Sequence, residues 1–232
     1  MKITFLTPHV TRAGGGIYEV ERRLARALSE DTPVCVEVVG LEDEYSEEDL
    51  SEDWGEELKP TVLPTAGPSS FGYAPDLVSA LCEKKIDLVH LHFLWRYTSV
   101  AVQRGAKRTG RPYMASVHGM LDDWALNNSR WKKKLAGWFY ENANLQGAAC
   151  LHVFHESERR AVREYGIDTP VCIIPNGVAL PPVERPPYPP WTDAIGEDQK
   201  VLLFLGRIHP KKGIFELAKA WKQLRETAPA VA

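Results

Sequence analysis

The sequence is poor in cysteine, and the four cysteines that it has lie far apart. Cys35, Cys82, Cys150 and Cys172 are each within or beside an apolar segment. No pair of cysteines or histidines has the spacing of a zinc site, so we expect no structural metal. Widely spaced cysteines indicate buried, reduced thiols and not disulfides, which is typical of a cytoplasmic protein.

Long apolar runs are also absent, and so is a large excess of one charge. A helix that crosses a bilayer needs about 20 consecutive apolar residues, and no segment approaches that length. The apolar start MKITFLTPHV is short and broken by Pro8, which favours a first strand over a signal peptide. The net charge is only −3, from 28 basic and 31 acidic residues, so the chain as a whole is not attracted to nucleic acid.

The dinucleotide-binding pattern G-x-G-x-x-G is missing as well. In its place Gly14, Gly15 and Gly16 follow the first apolar segment and precede a helix predicted over 17–28. The missing pattern counts against another kind of Rossmann-like nucleotide enzyme. Consecutive glycines before a helix let backbone N–H groups approach a phosphate at the positive end of the helix, and the alternative is a flexible turn.

What the sequence does have is a regular alternation of short apolar segments with amphipathic ones. We predict strands at 2–7, 33–39, 59–64, 86–92, 111–117, 148–154 and 171–174. Further helices are predicted at 75–84, 128–145 and 157–165, with another ending near 109. This alternation requires parallel pairing with right-handed crossovers. Residues 1–183 are therefore predicted to form an α/β domain with a Rossmann-like, doubly wound parallel sheet.

Two segments depart from the alternation. Residues 41–58 are very acidic and contain no base, so we interpret them as a solvated, mobile loop outside any site. Residues 184–199 are rich in proline and are predicted to form a stiff connection. Residues 200–232 would then supply the first strand, at 201–205, and the first helix of an incomplete second Rossmann-like domain.

A cationic loop lies in that second region, in the stretch VLLFLGRIHPKKG. The pattern predicts a buried strand, a loop that carries Arg207 and Lys212, and a helix from Ile214 onwards. At the carboxyl end of a parallel strand, cations beside a helix N-terminus can bind a diphosphate. The alternative is that these bases are solvated surface residues.

Four motifs occur in a fixed order: the strand–glycine loop–helix at the start, SVHG, IIPNGV and LGRIHPKKG. Together they resemble the retaining glycosyltransferases of family 4, or group 1, which have the GT-B fold. The resemblance runs from about Lys2 to the last residue and implies transfer of a sugar from a nucleotide-sugar to a glycan or lipid-linked acceptor. In that family a Glu-x7-Glu motif follows and holds the donor, but this sequence ends before it.

The resemblance also implies roles for particular residues. His118 matches a histidine beside the donor sugar, and Gly15 and Gly16 would face the phosphates across the cleft. Arg207 and Lys212 match the two cations that hold the donor diphosphate. No divalent metal and no cofactor is then expected, because the nucleotide-sugar is a co-substrate and fixed cations stabilise the leaving group. The pair Asp122–Asp123 is not the Asp-x-Asp of metal-dependent transferases.

Further candidates lie where predicted strands end, which is where ligands bind in an open α/β sheet. They are candidates for an acceptor cleft: His9, Arg12, Trp95, Tyr97 and Asp122. Aromatic faces stack on sugar rings, and arginine binds acidic or phosphate groups. Core packing is an equal alternative for Trp95, and His90, within its strand, is interpreted as a core histidine.

Bases and aromatics are concentrated in the helix predicted at 128–145. The bases are Arg130, Lys132, Lys133 and Lys134, and the aromatics include Trp131 and Trp138. Such a helix can lie on an anionic membrane. The alternatives are a solvated basic face and single-stranded nucleic acid, although no nucleic-acid module is recognisable and we expect no such partner.

Two hypotheses follow from the sequence. The first is a cytoplasmic, metal-independent glycosyltransferase that can contact the inner face of the membrane. The second is a catalytically inactive, truncated fragment or acceptor-binding domain, which the missing Glu-x7-Glu motif favours.

Overall fold

The computed structural model describes residues 1–52, 54–55, 57–178, 188, 191–196, 201–206, 208 and 210–227. The chain divides into two compact units, Met1–Val178 and Ala179–Ala232. The first unit contains a seven-stranded sheet. The two units are described separately below.

The sheet of the first unit is parallel throughout and has the strand order β3-β2-β1-β4-β5-β6-β7. The strands are β1 (Lys2–Leu6), β2 (Cys35–Leu41), β3 (Thr61–Leu63), β4 (Leu88–His92), β5 (Tyr113–Ser116), β6 (Cys150–Val153) and β7 (Val171–Ile173). The predicted doubly wound α/β fold is confirmed for this unit. Each strand corresponds to an apolar run in the sequence; the inner strands such as β1 and β4 are largely buried, whereas the edge strands β3 and β7 are half-buried or exposed.

Helices connect the strands and cover both faces of the sheet. They are α1 (Gly16–Asp31), α2 (Ser46–Glu52), α3 (Leu77–Glu83), α4 (Tyr97–Thr109), α5 (Asp123–Asn127), α6 (Arg130–Ala136), α7 (Asn142–Gly147) and α8 (Glu156–Glu164). Two clusters of buried apolar side chains result: one contains Phe5, Tyr18 and Val38, and the larger one contains Leu91 and Leu151. Each cluster fills one layer between the sheet and its helices.

The acidic segment at 41–58 is ordered where the structure describes it, so the prediction of a mobile loop was wrong. The segment forms α2, and Trp54 beyond it is 1% exposed. The Trp54 indole N–H donates to the Val10 carbonyl over 2.8 Å, and the Asp49 carboxylate accepts from the Arg12 backbone N–H over 2.8 Å. The acids therefore satisfy donors of the loop after β1, which explains why this charged segment packs there.

The helix predicted at 128–145 is interrupted. α6 ends at Ala136, a π-helical turn covers Gly137–Glu141, and α7 continues the chain. Within this turn Glu141 is fully buried and accepts from the Trp95 backbone N–H and the Asn144 side-chain amide, both over 2.7 Å. A π-helical turn often marks a place where one side chain has to be re-aimed, and here that side chain is a buried carboxyl.

The described residues of the second unit form two 3₁₀ turns, Thr192–Ala194 and Pro210–Lys212, and one helix, α9 (Ile214–Thr227). Residues 201–205 form no strand, although the sequence predicts one. A strand needs a hydrogen-bonded neighbour, and the described residues of this unit provide none. Most of the predicted connection at 184–199 lies outside the described residues.

Two smaller findings concern cysteines and membranes. All four cysteines are free, as predicted, but the expectation of buried thiols was wrong: Cys35, at the start of β2, is exposed, and the other three are half-buried. Across the described ranges, no helix has the length and apolarity required to cross a bilayer.

Candidate functional site

The sheet has its topological switch point between β1 and β4. Chain connections leave these two neighbours in opposite directions, so the loops after them separate and open a crevice at the carboxyl edge. His9 follows β1, Phe93 follows β4 and His118 follows β5. The rings of His9 and Phe93 are 5.5 Å apart between centroids, and those of Phe93 and His118 are 6.4 Å apart. Two sequence-predicted residues, His9 and His118, thus lie along one edge.

His118 has a backbone conformation that is rare for a residue with a side chain. Its φ is +50°, and Phe93 and Trp95 on the neighbouring loop have φ values of +68° and +69°. The left-handed region costs roughly 1–2 kcal/mol for such residues, and such strain is concentrated at functional sites. The conformation of His118 directs its Nε2 towards the sheet interior, 3.1 Å from His92 Nδ1.

A buried acid and a buried imidazole lie behind His118. His92 is 1% exposed and Glu21, on the inner face of α1, is fully buried, and the Glu21 Oε1 atom is 3.6 Å from His92 Nδ1. Burial raises the pKa of Glu21 well above its ordinary value, an effect that the nearby Thr7 hydroxyl partly offsets. Burial also lowers the pKa of His118 to about 3 and that of His92 well below its ordinary value. Both imidazoles are therefore neutral at physiological pH.

A chain of hydrogen bonds links His90, Ser116 and His152, on strands β4, β5 and β6. His90 Nε2 is 2.7 Å from Ser116 Oγ, Ser116 Oγ is 2.8 Å from His152 Nδ1, and His152 Nε2 donates to the Ile174 carbonyl over 2.9 Å. The carbonyl can only accept, so His152 carries its proton on Nε2 and accepts from the serine. His90 then donates through Nε2. The prediction that His90 is a core histidine is confirmed.

His9 is held by charged neighbours on both sides. Arg96 donates through Nη2 to His9 Nε2 over 3.2 Å, so the His9 proton lies on Nδ1, which is 3.5 Å from Asp43 Oδ2. Burial alone would raise the pKa of Asp43, but contacts with His9 and Thr11 hold it below its ordinary value. The ring of His9 is thereby fixed between a cation and an anion at the crevice.

The glycine loop lies at the start of α1. Gly15 has a φ of +58° and precedes the first helical residue, Gly16, where an added Cβ would meet no atom within 4 Å. Gly14 packs closely, because a Cβ there would approach His9 Cβ to 3.1 Å. The loop is therefore adjacent to His9, and the positive end of a 16-residue helix opens beside it.

Arg12 and Tyr97, two of the residues predicted for the acceptor cleft, contact other parts of the protein instead. Arg12 forms an ion pair with Glu48 and stacks at 4.4 Å on the ring of Tyr45, so its charge is already engaged. Tyr97 is 5% exposed, and its ring packs edge-on against Phe71 and Tyr73. Arg12 is held by an ion pair and Tyr97 by core packing. Neither contact can be inferred from the position of a residue at the end of a strand.

Trp95 also packs against the protein. Its ring lies edge-on to Tyr165 at 6.1 Å, and its indole N–H points at the Met120 carbonyl over 3.4 Å. This matches the core-packing alternative for Trp95. Asp122 is half-buried and precedes α5, four residues after His118.

The two cations predicted to hold the diphosphate are in the second unit. Lys212 ends a 3₁₀ turn just before α9 and is exposed. Arg207 lies outside the described residues. The structure therefore describes only Lys212 of the two cations. Lys212 lies just before the N-terminus of α9, as the sequence pattern predicts.

Sequence reasoning missed Glu21 and placed Asp43 in a segment outside any site, whereas Arg96 lies at the strand end between the predicted residues Trp95 and Tyr97. Glu21 could have been found, because it lies on the same face of α1 as Leu24, Ala25 and Leu28, where a charge is unusual. Asp43 comes together with His9 only through the fold, and no local pattern marks it.

One group of side chains in the described part of the chain could hold a metal ion. The ligand atoms of Glu21, His92 and His118 lie within 4.8 Å of one another. Carboxylate and neutral imidazole are ligands that zinc and similar divalent ions accept.

The fold defines a Rossmann-like α/β domain with a crevice at the switch point of its sheet. The model of the Glycosyl transferase 4-like domain matches residues 15–177, and the chain belongs to this family. The family and the GT-B fold predicted from the motifs are thereby confirmed.

Similar proteins support this assignment. The lipopolysaccharide 1,2-N-acetylglucosaminetransferase of Salmonella typhimurium is 46% identical over 57 residues, which cover 24% of this chain and 15% of the relative. The sucrose-phosphate synthase of Thermosynechococcus elongatus has a TM-score of 0.71 at 19% identity, over 97% of this chain and 60% of that one.

A third similar protein is Anabaena Alr3699/HepE, solved in complex with UDP and glucose. It has a TM-score of 0.56 at 18% identity and covers 77% of this chain and 45% of its own. The chain thus spans 15% of the curated relative and 45–60% of these two solved chains. At this level of identity the solved structures show a common fold.

Proposed function

We propose that this chain provides the acceptor-side domain of a glycosyltransferase that transfers a sugar from a nucleotide-sugar to a glycan or lipid-linked acceptor. The observation that carries the proposal is His118, a neutral and half-buried imidazole in a strained conformation at the switch-point crevice. Family membership gives the reaction class. The UDP and glucose bound to the Anabaena protein, and the lipopolysaccharide named for the Salmonella enzyme, support a nucleotide-sugar donor and a glycan acceptor.

In this proposal each predicted site residue has a role. His118 forms a hydrogen bond with the transferring sugar, and the N–H groups at Gly15 and Gly16 face the phosphates. Asp122 and His9 line the acceptor side. Arg207 and Lys212 stabilise the charge that develops on the departing nucleoside diphosphate, so that no metal is required there. Transfer with retention of configuration is part of the proposal and follows from the resemblance alone.

The neutral state of His118 limits what it can do. A cationic imidazole would stabilise developing negative charge directly, but burial keeps this ring uncharged at physiological pH. It therefore acts by hydrogen bonding and orientation. Such a contact is worth about 0.5–1.5 kcal/mol in ordinary hydrogen bonding and more when it forms only in the transition state.

A transfer assay tests the proposal. The chain is fused to a complete nucleotide-binding domain from a family member, and product is measured by mass spectrometry with several nucleotide-sugars. His118→Ala should lower turnover far more than donor affinity. The matched control is His155→Ser, which removes another imidazole but retains an oxygen acceptor at the N-terminus of α8. Equal effects of the two variants on turnover would contradict the assigned role.

A second candidate function is acceptor binding without transfer by this chain alone. The share of the solved chains that it covers, 45–60%, favours this reading. In the same assay the unfused chain would then bind acceptor but release no product, whereas transfer by the unfused chain would exclude this candidate.

We also propose peripheral contact with an anionic membrane from a cytoplasmic location. The aromatic–basic surface, defined here as Trp131, Lys132, Lys134, Leu135, Trp138 and Phe139, carries the proposal. Trp131, Leu135 and Trp138 follow one another at helical spacing and are 66%, 48% and 78% exposed, and Phe139 is 70% exposed. Exposed aromatics beside bases suit the interface of an anionic bilayer.

One base predicted for this contact is engaged elsewhere. The Lys133 ammonium donates to the Ala125 carbonyl, and it lies 5.7 Å from the centre of the Trp95 ring. Burial lowers the pKa of Lys133. Lys132 and Lys134 are exposed, and so is Arg130 at the start of α6. The proposed contact therefore uses Lys132 and Lys134 of the aromatic–basic surface, with Arg130 beside it, and excludes Lys133.

A further inference from the structure

We propose that His92 is a positioning residue that fixes His118 in a single tautomer, with the proton on Nδ1, so that His118 offers an N–H donor to its ligand. The identity of that ligand, a sugar oxygen, rests on the proposed function. The tautomer itself is a property of this chain and can be measured without any ligand.

The first step is to locate the proton of His92. Its ring is neutral and buried, and its Nε2 atom is buried without a hydrogen-bond partner. Nδ1, in contrast, has a hydrogen-bond partner, His118 Nε2 at 3.1 Å, whereas Glu21 Oε1 lies farther away at 3.6 Å and forms no hydrogen bond with it. A proton on Nε2 would be a buried donor without an acceptor, which native structures rarely contain. The proton therefore belongs on Nδ1.

The position of the proton on His92 determines the position of the proton on His118. If His92 donates through Nδ1, His118 must accept through Nε2, and a neutral imidazole then has its proton on Nδ1. Among the described residues, none accepts a hydrogen bond from His118 Nδ1, and the residue is only half-buried. The remaining donor of the ring is thus available to a ligand.

Aromatic rings lie beside both imidazoles. The ring of His92 lies 4.1 Å from that of His90 and 4.9 Å from that of Phe5, and the ring of His118 lies 4.9 Å from that of Phe154. Both imidazoles are thus packed against neighbouring rings.

A divalent ion held by Glu21, His92 and His118 is the competing explanation. Ligands at about 2.0–2.1 Å around a tetrahedral ion lie roughly 3.3 Å apart, which is close to the observed 3.1 and 3.6 Å. Ligation through His92 Nδ1 would, however, put the proton on the partnerless Nε2. Histidines that bind metals almost always donate their other N–H to a partner. The spacing fits an ion, but the hydrogen-bonding environment of His92 favours the tautomer.

Long-range ¹H–¹⁵N correlation spectra of the ¹⁵N-labelled, metal-free chain test the proposal. We expect protonated Nδ1 and unprotonated Nε2 for both His92 and His118, whereas His152 should show the opposite tautomer because Ile174 accepts from its Nε2. A protonated Nε2 in His118 would overturn the proposal. So would stoichiometric binding of added Zn²⁺ that shifts the signals of both His92 and His118.

Two variants separate positioning from general stability. His92→Asn keeps an N–H donor near the Nδ1 position and should leave His118 protonated on Nδ1. His92→Leu removes the donor and should allow His118 to protonate Nε2 in a substantial fraction of molecules. If His92→Leu does not fold, the tautomers of His118 in the wild type and in His92→Asn still test the proposal. An unchanged tautomer in folded His92→Leu would contradict the role of His92.

The outcomes separate this proposal from the proposed function. The predicted tautomer, together with normal transfer by the His118→Ala fusion, would refute the sugar contact but leave the positioning by His92 intact. A proton on Nε2 of His118, together with strongly reduced transfer by the His118→Ala fusion, would refute the positioning by His92 but leave the sugar contact intact.

Discussion

Several ionisable side chains of the first unit are buried, and the pKa of Glu141 is shifted into the physiological range. Burial raises its pKa to about 7, against the opposing hydrogen bonds from Asn144 and Trp95. Glu21 lies deeper and is also shifted upward by burial. An acid with a raised pKa in the folded state favours folding while it is protonated, and it opposes folding once it must ionise in a buried position.

This property predicts how stability depends on pH. The contribution of Glu141 is fully present below its ordinary pKa of 4.5 and is lost as pH rises through about 7, a change of roughly 3 kcal/mol at most. We expect Glu141→Gln to reduce the fall in the urea midpoint between pH 5 and pH 8. Asn144 can accommodate the new amide, because its Oδ1 is unpartnered and becomes an acceptor if the side chain flips.

The control for this prediction is Glu83→Gln, which changes an exposed glutamate at the end of α3. It should leave the pH dependence as in the wild type. A parallel fall in the urea midpoint for wild type and Glu141→Gln would show that other groups set the pH dependence.

At the level of single residues, the sequence predicts which residues lie at the site better than it predicts which side chains they contact. His9 and His118 were found because a strand end in a parallel sheet is a defined position at the edge where ligands bind. Arg12 and Tyr97 occupy equivalent sequence positions but are engaged by Glu48 and by Phe71. These partners are distant along the chain, so no local pattern separates a cleft residue from a packed one.

Among the secondary-structure elements, the acidic segment shows how a charged stretch becomes part of the fold. Trp54 buries its ring against Tyr18, with centroids 5.9 Å apart, and its N–H reaches the loop after β1. Trp54→Ala should therefore lower the free energy of unfolding by about 3–5 kcal/mol. The control Trp138→Ala removes a ring that is 78% exposed and should change it by no more than about 0.5 kcal/mol.

Urea denaturation of both variants checks this prediction. A small effect of Trp54→Ala would mean that the acidic segment contributes little to stability and would support the mobile loop inferred from its composition. Comparable losses in both variants would contradict the assignment of Trp138 to an exposed surface.

The aromatic–basic surface makes a separate prediction about membranes. Each base near an anionic bilayer contributes about 1 kcal/mol, so Lys132→Gln with Lys134→Gln should weaken binding to vesicles of phosphatidylcholine and phosphatidylserine by roughly tenfold or more. Co-sedimentation measures this binding. The matched control is Lys85→Gln with Lys107→Gln, which removes two exposed charges elsewhere.

Trp131→Ala should also weaken vesicle binding, because its exposed ring supplies apolar contact area. Binding that is independent of phosphatidylserine, or equal losses in the two lysine pairs, would contradict a specific role of this surface. Lys133→Gln is expected to affect binding least of the three lysine positions, because Ala125 already holds its ammonium.

The strands were more predictable than the connections between them. A short apolar run predicts a buried strand directly, as β1 and β4 show. The α2 helix and the π-helical turn at Gly137–Glu141 depend on distant partners, namely Arg12 for the first and Trp95 for the second. The run at 201–205 has the composition of a strand, yet it forms none, because a strand also requires a neighbour to pair with.

For the whole molecule, the first unit contains both apolar clusters and the complete sheet. A chain that ends at Val178 should therefore fold and have the same urea midpoint as the full chain, with an equal or smaller slope. Circular dichroism during urea titration measures both quantities. A clearly lower midpoint would show that residues beyond Val178 contribute to the stability of the first unit.

The central claim is that a nucleotide-sugar binds at the crevice that contains His118. NMR titration of the ¹⁵N-labelled chain with UDP-glucose, then with GDP- and ADP-sugars, tests it most directly. With the donor held by this chain alone we expect a dissociation constant no tighter than about 1 mM, which corresponds to about 4 kcal/mol. The His118 imidazole and the Gly15 and Gly16 amides should shift with at least one donor, and His155→Ser should not alter this. Shifts confined to other residues, or none at His118 with any donor, would contradict the claim.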